Sequence, residues 1–337
     1  MNNELFQPIQ FKQLVAKNKL VMSPMCTYQS LEEDGMVTPF HLTHYESRAI
    51  GQIGTIMIEA TAVQPEGRIS TKDLGIWSDD HIGGLQQLNQ RIHAHGALSA
   101  IQLGHAGKKA KTNEPAMTPT EKLDDKAHHA KEMTLHDIEE TIHAFKQSAI
   151  RSINAGFDII EIHGAHGYLV NQFLSPLTNQ REDEYGGSRD NRYRLLKEII
   201  DEVKSVFDGP LFVRISADEY HQDGNQLDDF IYFANQMKQQ GVDLIDVSTG
   251  GVIQAAIDVF PGYQVKHAET IKHQAQIKTG TVGLITQPQQ AEEIIHNERA
   301  DLVFLGRVLL RDPYWALHAA RSLNVDIALP EPYKRGW

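Results

Sequence analysis

The feature that most constrains the fold of this chain is an eightfold alternation of short apolar runs with longer stretches of helical periodicity. The apolar runs are too short for free-standing helices and many are rich in β-branched residues, as expected of buried strands. Strands that alternate with helices favour a parallel sheet with helical crossovers. Eight such units predict that the sheet closes into a (β/α)8 TIM barrel, an α/β fold, and does not stay open.

The predicted elements can be placed on the sequence. Strands are predicted at residues 20–25, 55–63, 98–103, 157–163, 211–216, 244–249, 281–286 and 302–306. Helices are predicted around residues 41–50, 81–95, 135–154, 192–207, 228–240, 268–278, 287–296 and 314–322, the third opening with a capping box of Thr134 and Asp137. A β-hairpin is predicted at residues 5–17, and the non-periodic stretch 104–133 predicts a functional loop or lid after strand three. Because such barrels commonly reach this length, residues 1–337 are expected to form one domain.

Charge and cysteine content narrow the function classes. The chain carries 32 Lys and Arg against 44 Asp and Glu, a formal net charge of −12. A surface this acidic argues against nucleic acid and anionic membranes as partners. Cys26 is the one cysteine, so an intrachain disulfide and an iron–sulfur cluster are both excluded. The first residues lack a signal-peptide pattern and no apolar run approaches a membrane span, so a cytoplasmic protein is expected.

One segment carries the densest chemistry. Residues 157–176 read FDIIEIHGAHGYLVNQFLSP, an apolar run that ends on His163 and is followed by His166 and Tyr168. The C-terminal ends of the strands form the active site in a (β/α)8 barrel. Two imidazoles and a phenol at such a strand end are suited to polarising a carbonyl oxygen and delivering a proton. Residue type alone leaves two alternatives open: structural histidines, or a zinc site that would need a further ligand such as His105.

Polar and small residues also cluster at the predicted ends of the other strands. They are Ser23, Pro24, Met25 and Cys26 after the first strand, Ala60 on the second, Gln102 on the third, Arg214 on the fifth, Gly283 on the seventh, and Gly306 with Arg307 at the eighth. Arg214 is predicted to point into the barrel, where a guanidinium needs a negative partner; a salt bridge to Glu59 or Asp246 is one alternative. The loops after strands seven and eight commonly hold phosphate in this fold, which predicts that role for Gly283, Gly306 and Arg307.

Six segments share a pattern with one enzyme family. They are SPMCTY at 23–28, EATAV at 59–63, IQLGHAG at 101–107, EIHGAHGYLVNQFLSPLTNQREDEYGGSRDNRYR at 161–194, VRIS at 213–216 and VFLGR at 303–307. Together they resemble the Old Yellow Enzyme family of flavin-dependent ene-reductases, and especially its bacterial NADPH dehydrogenase subgroup. The long central segment is the most specific of them. The resemblance implies FMN as cofactor and NADPH or NADH as reductant. It also implies activated alkenes as substrates (enals, enones, maleimides and nitroalkenes), and it is compatible with a role in detoxification.

The resemblance also implies roles for the segment that ends the fourth strand. Tyr168 matches the proton donor of the family. His163 and His166 match the pair that binds the substrate oxygen, and Gly164 and Ala165 lie between them in the substrate site.

Further roles implied by the resemblance concern the flavin ring and a neighbouring subunit. Arg214 would face the N1–C2=O edge of the flavin and Gln102 its pyrimidine edge, while Cys26 would lie near the O4–N5 edge and tune the reduction potential. Many yeast and plant members carry Thr at that position; otherwise a lone cysteine is usually a small buried hydrophobe. Tyr28 would close over the substrate. Arg335 matches a tail arginine that reaches a neighbour's active site, which implies a homodimer or homotetramer.

Two other function classes remain open from the sequence. A metal-dependent lyase or aldolase on the same barrel would use His163 and His166 as ligands. A non-catalytic flavin-binding redox sensor would use Cys26. The combined segments favour the prediction of an NADPH dehydrogenase of Old Yellow Enzyme type.

Overall fold

The computed structural model describes residues 3–121 and 130–337. Its strands, in chain order, are β1 (Ile9–Phe11), β2 (Leu14–Ala16), β3 (Leu20–Met22), β4 (Thr55–Ala62), β5 (Leu98–Gly104), β6 (Ala116–Thr118), β7 (Ala130–Glu132), β8 (Ile159–Gly164), β9 (Leu211–Ser216), β10 (Leu244–Ser248), β11 (Lys278–Thr281) and β12 (Leu302–Leu305). Its α-helices are α1 (Pro39–Ile50), α2 (Ile82–His93), α3 (Leu135–Ala155), α4 (Leu169–Leu174), α5 (Arg189–Lys204), α6 (Leu227–Gln239), α7 (Val265–Ala275), α8 (Pro288–His296), α9 (Arg307–Arg311) and α10 (Trp315–Ser322).

The predicted (β/α)8 barrel is confirmed. Strands β3, β4, β5, β8, β9, β10, β11 and β12 pair in this order around a closed, all-parallel barrel. The ring closes where β12 pairs with β3, with Val303 opposite Leu20. The predicted hairpin is confirmed as well, since β1 and β2 pair antiparallel. None of the helices in the described ranges is both long and apolar enough to cross a membrane.

The barrel interior is layered along the strands. An apolar layer near the N-terminal mouth contains Met57, Ala100, Ile159, Phe212 and Leu244, all buried. Phe11 of the hairpin packs on it, with its ring centroid 5.1 Å from that of Phe212. Because side chains of a strand alternate between faces, the next inward positions lie two residues further on. Those positions hold the buried polar residues Glu59, Gln102, Glu161, Arg214 and Asp246. The interior therefore changes from apolar to charged toward the C-terminal mouth.

One predicted strand is wrong in position. The seventh barrel strand is β11 at Lys278–Thr281, and not residues 281–286. Helix α7 ends early because Gln276 takes a left-handed conformation (φ +53°), which lets the strand start at Lys278. The strand contains Lys, two Thr and Gly, so its weak apolar character hid it from pattern reading. Gly283 consequently lies in the loop after the strand.

The long segment after β5 is only partly described. The parallel strands β6 and β7 pair within it, while residues 122–129 of the predicted lid lie outside the described residues. The segment ends at the start of α3, where Thr134 accepts a hydrogen bond from the N–H of Asp137 and the Asp137 carboxylate accepts one from the N–H of Thr134. This is the predicted capping box, and it fixes where the helix begins.

Candidate active site

The turn after β8 brings the three predicted catalytic rings together. His166 (φ +59°) and Gly167 (φ +69°) adopt left-handed conformations there and reverse the chain between β8 and α4. The ring centroid of His163 lies 4.9 Å from that of Tyr168 and 5.3 Å from that of His166. Both pairs of rings are nearly perpendicular, at 86° and 84°. The three groups therefore form one compact set at the C-terminal end of a barrel strand.

Both imidazoles of this set are neutral. Burial lowers the pKa of His163 and of His166 well below the usual value, and nearby cations, Arg214 foremost, lower it further. His163 Nδ1 accepts a hydrogen bond from the N–H of Ala165 at 3.3 Å, which puts the ring proton on Nε2. His166 Nε2 lies 2.8 Å from Ser248 Oγ. Neutral imidazoles that can donate hydrogen bonds are suited to stabilising charge that develops on a substrate oxygen.

An ammonium group ties this turn to the loop after β10. Lys109 Nζ donates to the backbone oxygens of His166 and Gly251, at 2.6 and 2.5 Å. A Cβ built on Gly167 or Gly251 would collide with the facing backbone, so the two loops are in direct contact. Nothing in the sequence distinguishes Lys109 from the other lysines of its loop, and sequence reasoning missed it.

The larger of two cavities beside this turn has a volume of about 430 Å³. His166 and Arg214 line it from the β8–β9 side of the barrel, and Gly283, Gly306 and Arg307 line it from the β11–β12 side. Among the described residues that line it there are three arginines and no carboxylate. This cavity is therefore a positive site in a chain of net charge −12, which suits an anionic group such as a phosphate.

The geometry on the β11–β12 side of this cavity requires glycine. Gly283 has φ +124°, and a Cβ there would lie 3.0 Å from the Gln264 side chain and 3.1 Å from that of Tyr263. Gln264, Tyr263 and Arg311 line the cavity as well. These three residues lie beyond the strand ends, in or near loops, and sequence reasoning missed them because only the barrel's closure brings them here.

Arg214 has a partner inside the barrel. Its Nε lies 3.0 Å from Asp246 Oδ2, so the salt bridge considered from sequence exists, with Asp246 and not with Glu59. The contact is not aligned as a hydrogen bond, and this Nε has no hydrogen-bond partner. Arg214 also lines the larger cavity and thus has donor capacity left for a ligand. Gln102 donates to Glu161 Oε1 at 2.7 Å and lines neither this cavity nor the smaller one.

Glu59 anchors the segment that carries Cys26. The Glu59 carboxylate accepts from the N–H of Thr27 at 3.0 Å and from its hydroxyl at 2.9 Å. Cys26 is partly buried, and Tyr28, two residues further on, is exposed and has a left-handed backbone (φ +55°). Burial raises the pKa of Cys26, and nearby carboxylates raise it further. Cys26 is therefore a thiol and not a nucleophilic thiolate.

The remaining predicted residues are distributed unevenly. The N–H of Ser23 donates to Leu305 at 3.0 Å, and Met25 Sδ lies 3.7 Å from where a Cβ on Gly306 would be, so the end of β3 adjoins the larger cavity. Pro24 lies between them, and Gly164 and Ala165 are buried. Arg335 is exposed on the C-terminal tail and lines neither cavity of its own chain.

The smaller cavity adjoins the same turn, and His163 lines this cavity and not the larger one. Ala60, His163 and Tyr168 line it together with Asp73 and His105. The three rings of the turn are thus shared between two adjacent cavities, with His166 on the larger one.

The larger cavity fits a flavin mononucleotide. Its volume is within the range of small-molecule sites, roughly 300–1,000 Å³. The glycines and Arg307 on the β11–β12 side suit a phosphate, and the unsatisfied Nε of Arg214 on the β8–β9 side suits a polar ring edge. A parallel barrel with such a cavity at its C-terminal mouth is compatible with the class of flavin-dependent barrel oxidoreductases.

Comparison with known proteins agrees with this class. The sequence model of the NADH:flavin oxidoreductase / NADH oxidase family matches residues 4–326. An NADPH dehydrogenase of Halalkalibacterium halodurans is 59% identical over 337 residues, covering 100% of both chains. An old yellow enzyme homologue from Zymomonas mobilis is similar in structure (TM-score 0.83, 26% identity), with 97% of this chain and 94% of that chain covered. A 2-naphthoyl-CoA reductase has a TM-score of 0.90 at 25% identity over 96% of this chain, which spans only 53% of that longer chain.

The chain therefore belongs to the NADH:flavin oxidoreductase / NADH oxidase family, the Old Yellow Enzyme family. It is an enzyme of the NADPH dehydrogenase type, and its cofactors are FMN and NAD(P)H. The resemblance drawn from the sequence is confirmed. The lyase and redox-sensor alternatives are not supported, and in the described ranges no group of three or more His, Cys, Asp or Glu side chains could hold a metal ion.

Proposed function

We propose that this enzyme reduces the C=C bond of α,β-unsaturated carbonyls, nitroalkenes and related electrophiles. The observation that carries the proposal is the compact set of neutral His163, neutral His166 and Tyr168 on one turn. Two hydrogen-bond donors and one proton donor are what the polarisation and protonation of a conjugated alkene require.

The cofactor would occupy the larger cavity. Gly283, Gly306 and Arg307 would hold its phosphate, and Arg214 would face its ring. From the family resemblance, Ser23, Pro24, Met25, Cys26, Ala60 and Gln102 are proposed to border the ring, although in this structure Ala60 lines the smaller cavity and Gln102 lines neither. FMN bound there would supply hydride chemistry, with NAD(P)H as the reductant and the β-carbon of the alkene as the acceptor.

The chain's own residues then act on the substrate. His163 and His166 bind the carbonyl or nitro oxygen and stabilise the negative charge that grows on it. Tyr168 gives the proton of its O–H group to the α-carbon. Tyr28 closes over the substrate, Gly164 and Ala165 shape its site, and the Cys26 thiol modulates the cofactor.

The test is a Tyr168→Phe variant. Because the phenol acts only on the alkene, we expect re-oxidation of the reduced enzyme by a cyclic enone to slow by about 100-fold, while flavin reduction by NADPH is nearly unchanged. Anaerobic stopped-flow measurement of the two half-reactions separates them. Tyr28→Phe is the matched comparison: it removes a phenol hydroxyl assigned to substrate contact and not to proton transfer, so it should slow re-oxidation by the enone much less than Tyr168→Phe does. Equal losses in both half-reactions of Tyr168→Phe would rule out the proton-donor role.

We also propose that the enzyme is a cytoplasmic homodimer or homotetramer that removes reactive electrophiles, and that residues 1–337 form one domain. The single cysteine favours a reducing compartment. The shared core of hairpin and barrel favours one domain. Two separate unfolding transitions in calorimetry would contradict the single domain, and sedimentation gives the oligomeric state.

A further inference from the structure

The smaller cavity matches the size of one water molecule. Its volume is about 10 Å³, and a single internal water requires roughly 10–15 Å³. Asp73, His105 and Tyr168 all line it, and they come from three different segments. An internal water is held only where buried polar atoms need partners, so the state of those atoms decides whether the site is built for one.

Asp73 presents an unused acceptor. Its carboxyl group is 2% exposed. Oδ2 accepts from the N–H groups of Ile69 and Ser70, at 2.7 and 3.0 Å. Oδ1 is buried and has no hydrogen-bond partner. Since Oδ2 is directed at the loop backbone, Oδ1 is the atom left for the cavity.

His105 presents an unused donor. Its Nδ1 accepts a hydrogen bond from the N–H of Gly107 at 3.0 Å. Burial lowers the pKa of His105 to about 4, so the ring is neutral and its one proton is on Nε2. That Nε2 is buried and has no partner. A water that accepts from His105 and donates to Asp73 would satisfy both atoms, each of which otherwise costs about 1–3 kcal/mol.

Tyr168 completes the set. Its hydroxyl has no hydrogen-bond partner within residues 3–121 and 130–337, although its ring packs on His163 and its side chain lines the cavity. A water bound to His105 and Asp73 still has one hydrogen and one lone pair free. Tyr168 is therefore the third neighbour that such a water can contact.

We propose that a water held by Asp73 and His105 returns a proton to Tyr168 after each turnover. The proposal rests on the proposed function, in which Tyr168 gives its proton to the α-carbon and becomes a phenolate. For this step Asp73 carries a proton on Oδ1, so it donates to the water and no longer accepts from it. The water then transfers a proton to the phenolate oxygen while the Asp73 carboxyl group transfers its proton to the water. Asp73 regains a proton from bulk water. Asp73 and His105 thus act through Tyr168 and are positioning residues of a proton relay.

The charges around the relay agree with this direction of transfer. Burial raises the pKa of Asp73 to about 6, although the hydrogen bonds from the N–H groups of Ser70 and Ile69 and the charge of Arg68 lower it. The carboxyl group can therefore exchange protons near neutral pH. Burial raises the pKa of Tyr168 above its usual value, and the negative charge of Asp73 raises it further. A phenolate at this position is therefore a stronger base than the relay that supplies it. Lys72, the residue before Asp73 in the chain, is exposed to solvent.

The experiment compares one turnover with many in the FMN-loaded enzyme. In Asp73→Asn, Tyr168 starts protonated, so re-oxidation of pre-reduced enzyme by 2-cyclohexenone in a single turnover is expected to match the unmodified enzyme. Steady-state turnover is expected to fall roughly tenfold and to show a larger solvent deuterium isotope effect. Added formate is expected to restore the steady-state rate. Asp223→Asn, whose side chain is 72% exposed, is the matched control and should change neither rate.

A second variant leaves both relay side chains in place. Ala62→Val adds two methyl groups to the wall of the smaller cavity and should exclude the water, giving the same split between single and multiple turnovers. Equal slowing of both measurements, or no slowing of steady-state turnover in either variant, would overturn the relay. Failure of the proposed function can be told apart from failure of the relay. If Tyr168 is not the proton donor, Tyr168→Phe leaves the single-turnover rate unchanged.

Discussion

At the scale of single residues, Glu59 shows how burial sets chemistry here. The side chain is fully buried, and it accepts hydrogen bonds from Thr27 and from the Tyr45 hydroxyl at 2.7 Å. Burial raises its pKa to about 7, although those hydrogen bonds lower it. A carboxyl group whose pKa is higher in the folded than in the unfolded protein contributes its full stabilisation at pH values below its pKa in the unfolded protein. That contribution is lost as the pH rises through its pKa in the folded protein.

We therefore predict a pH-dependent effect of Glu59→Gln, since Gln resembles the protonated acid. We compare the free energies of unfolding of the unmodified enzyme and of the variant. The value for the unmodified enzyme minus the value for the variant should fall by about 1–3 kcal/mol between pH 5 and pH 8. Denaturant titrations of both proteins at the two pH values measure this difference, and groups such as Glu219 that titrate in both proteins cancel. Glu114→Gln, at an exposed position, is the control. A relative stability that does not change with pH would show that Glu59 is ionised throughout.

At the scale of elements, the site depends on contacts among the segments that follow β5, β8 and β10. Lys109 belongs to the first of these, His166 to the second and Gly251 to the third, and one ammonium group bonds the last two. Lys109 Nζ also lies 5.6 Å from the ring centroid of Tyr168. The left-handed backbone of His166 is unusual for a residue with a side chain, and such conformations persist only where surrounding contacts enforce them.

We predict that Lys109→Met releases this turn. Two partly buried carbonyl groups would lose a charged donor, which should lower the free energy of unfolding by about 1–3 kcal/mol. Binding of phenols, which mimic the substrate oxygen, should weaken because His163 and His166 are no longer held, and charge-transfer absorbance of the holoenzyme reports it. Lys111→Met, in the same loop and exposed, is the matched control. Phenol binding as tight as in the unmodified enzyme would show that the turn keeps its shape without the ammonium group.

At the scale of the whole molecule, the C-terminal tail is packed on the barrel but leaves Arg335 exposed. Tyr333 packs on Tyr314 with ring centroids 5.8 Å apart, and Trp337 packs on His318 at 4.8 Å. These contacts fix the tail on helix α10 and the segment before it. An exposed arginine presented in this way is suited to reach a second copy of the chain, as proposed from the family resemblance.

We predict that Arg335→Ala raises the KM for the alkene while the oligomer, measured by sedimentation, persists. Loss of one charge-assisted hydrogen bond to the substrate corresponds to roughly tenfold in KM. Lys334→Ala is the control, because Lys334 is a neighbouring cation that pairs with Glu331 in its own tail. Kinetics and substrate binding unchanged by Arg335→Ala would rule out the intersubunit site.

The sequence by itself determined the parts of this protein that short stretches encode. Alternating strand and helix periods gave the barrel, the Thr134–Asp137 box gave the start of α3, and one segment supplied His163, His166 and Tyr168. Only the tertiary structure decided which distant residues meet. Lys109 bonds a backbone oxygen 142 residues away, and Arg214 pairs with Asp246 and not with Glu59. Asp73 and His105 face the same water-sized space. Periodicity and capping act over a few residues and leave a local pattern, whereas the meeting of particular side chains from distant strands depends on the register of all eight strands and leaves no local pattern.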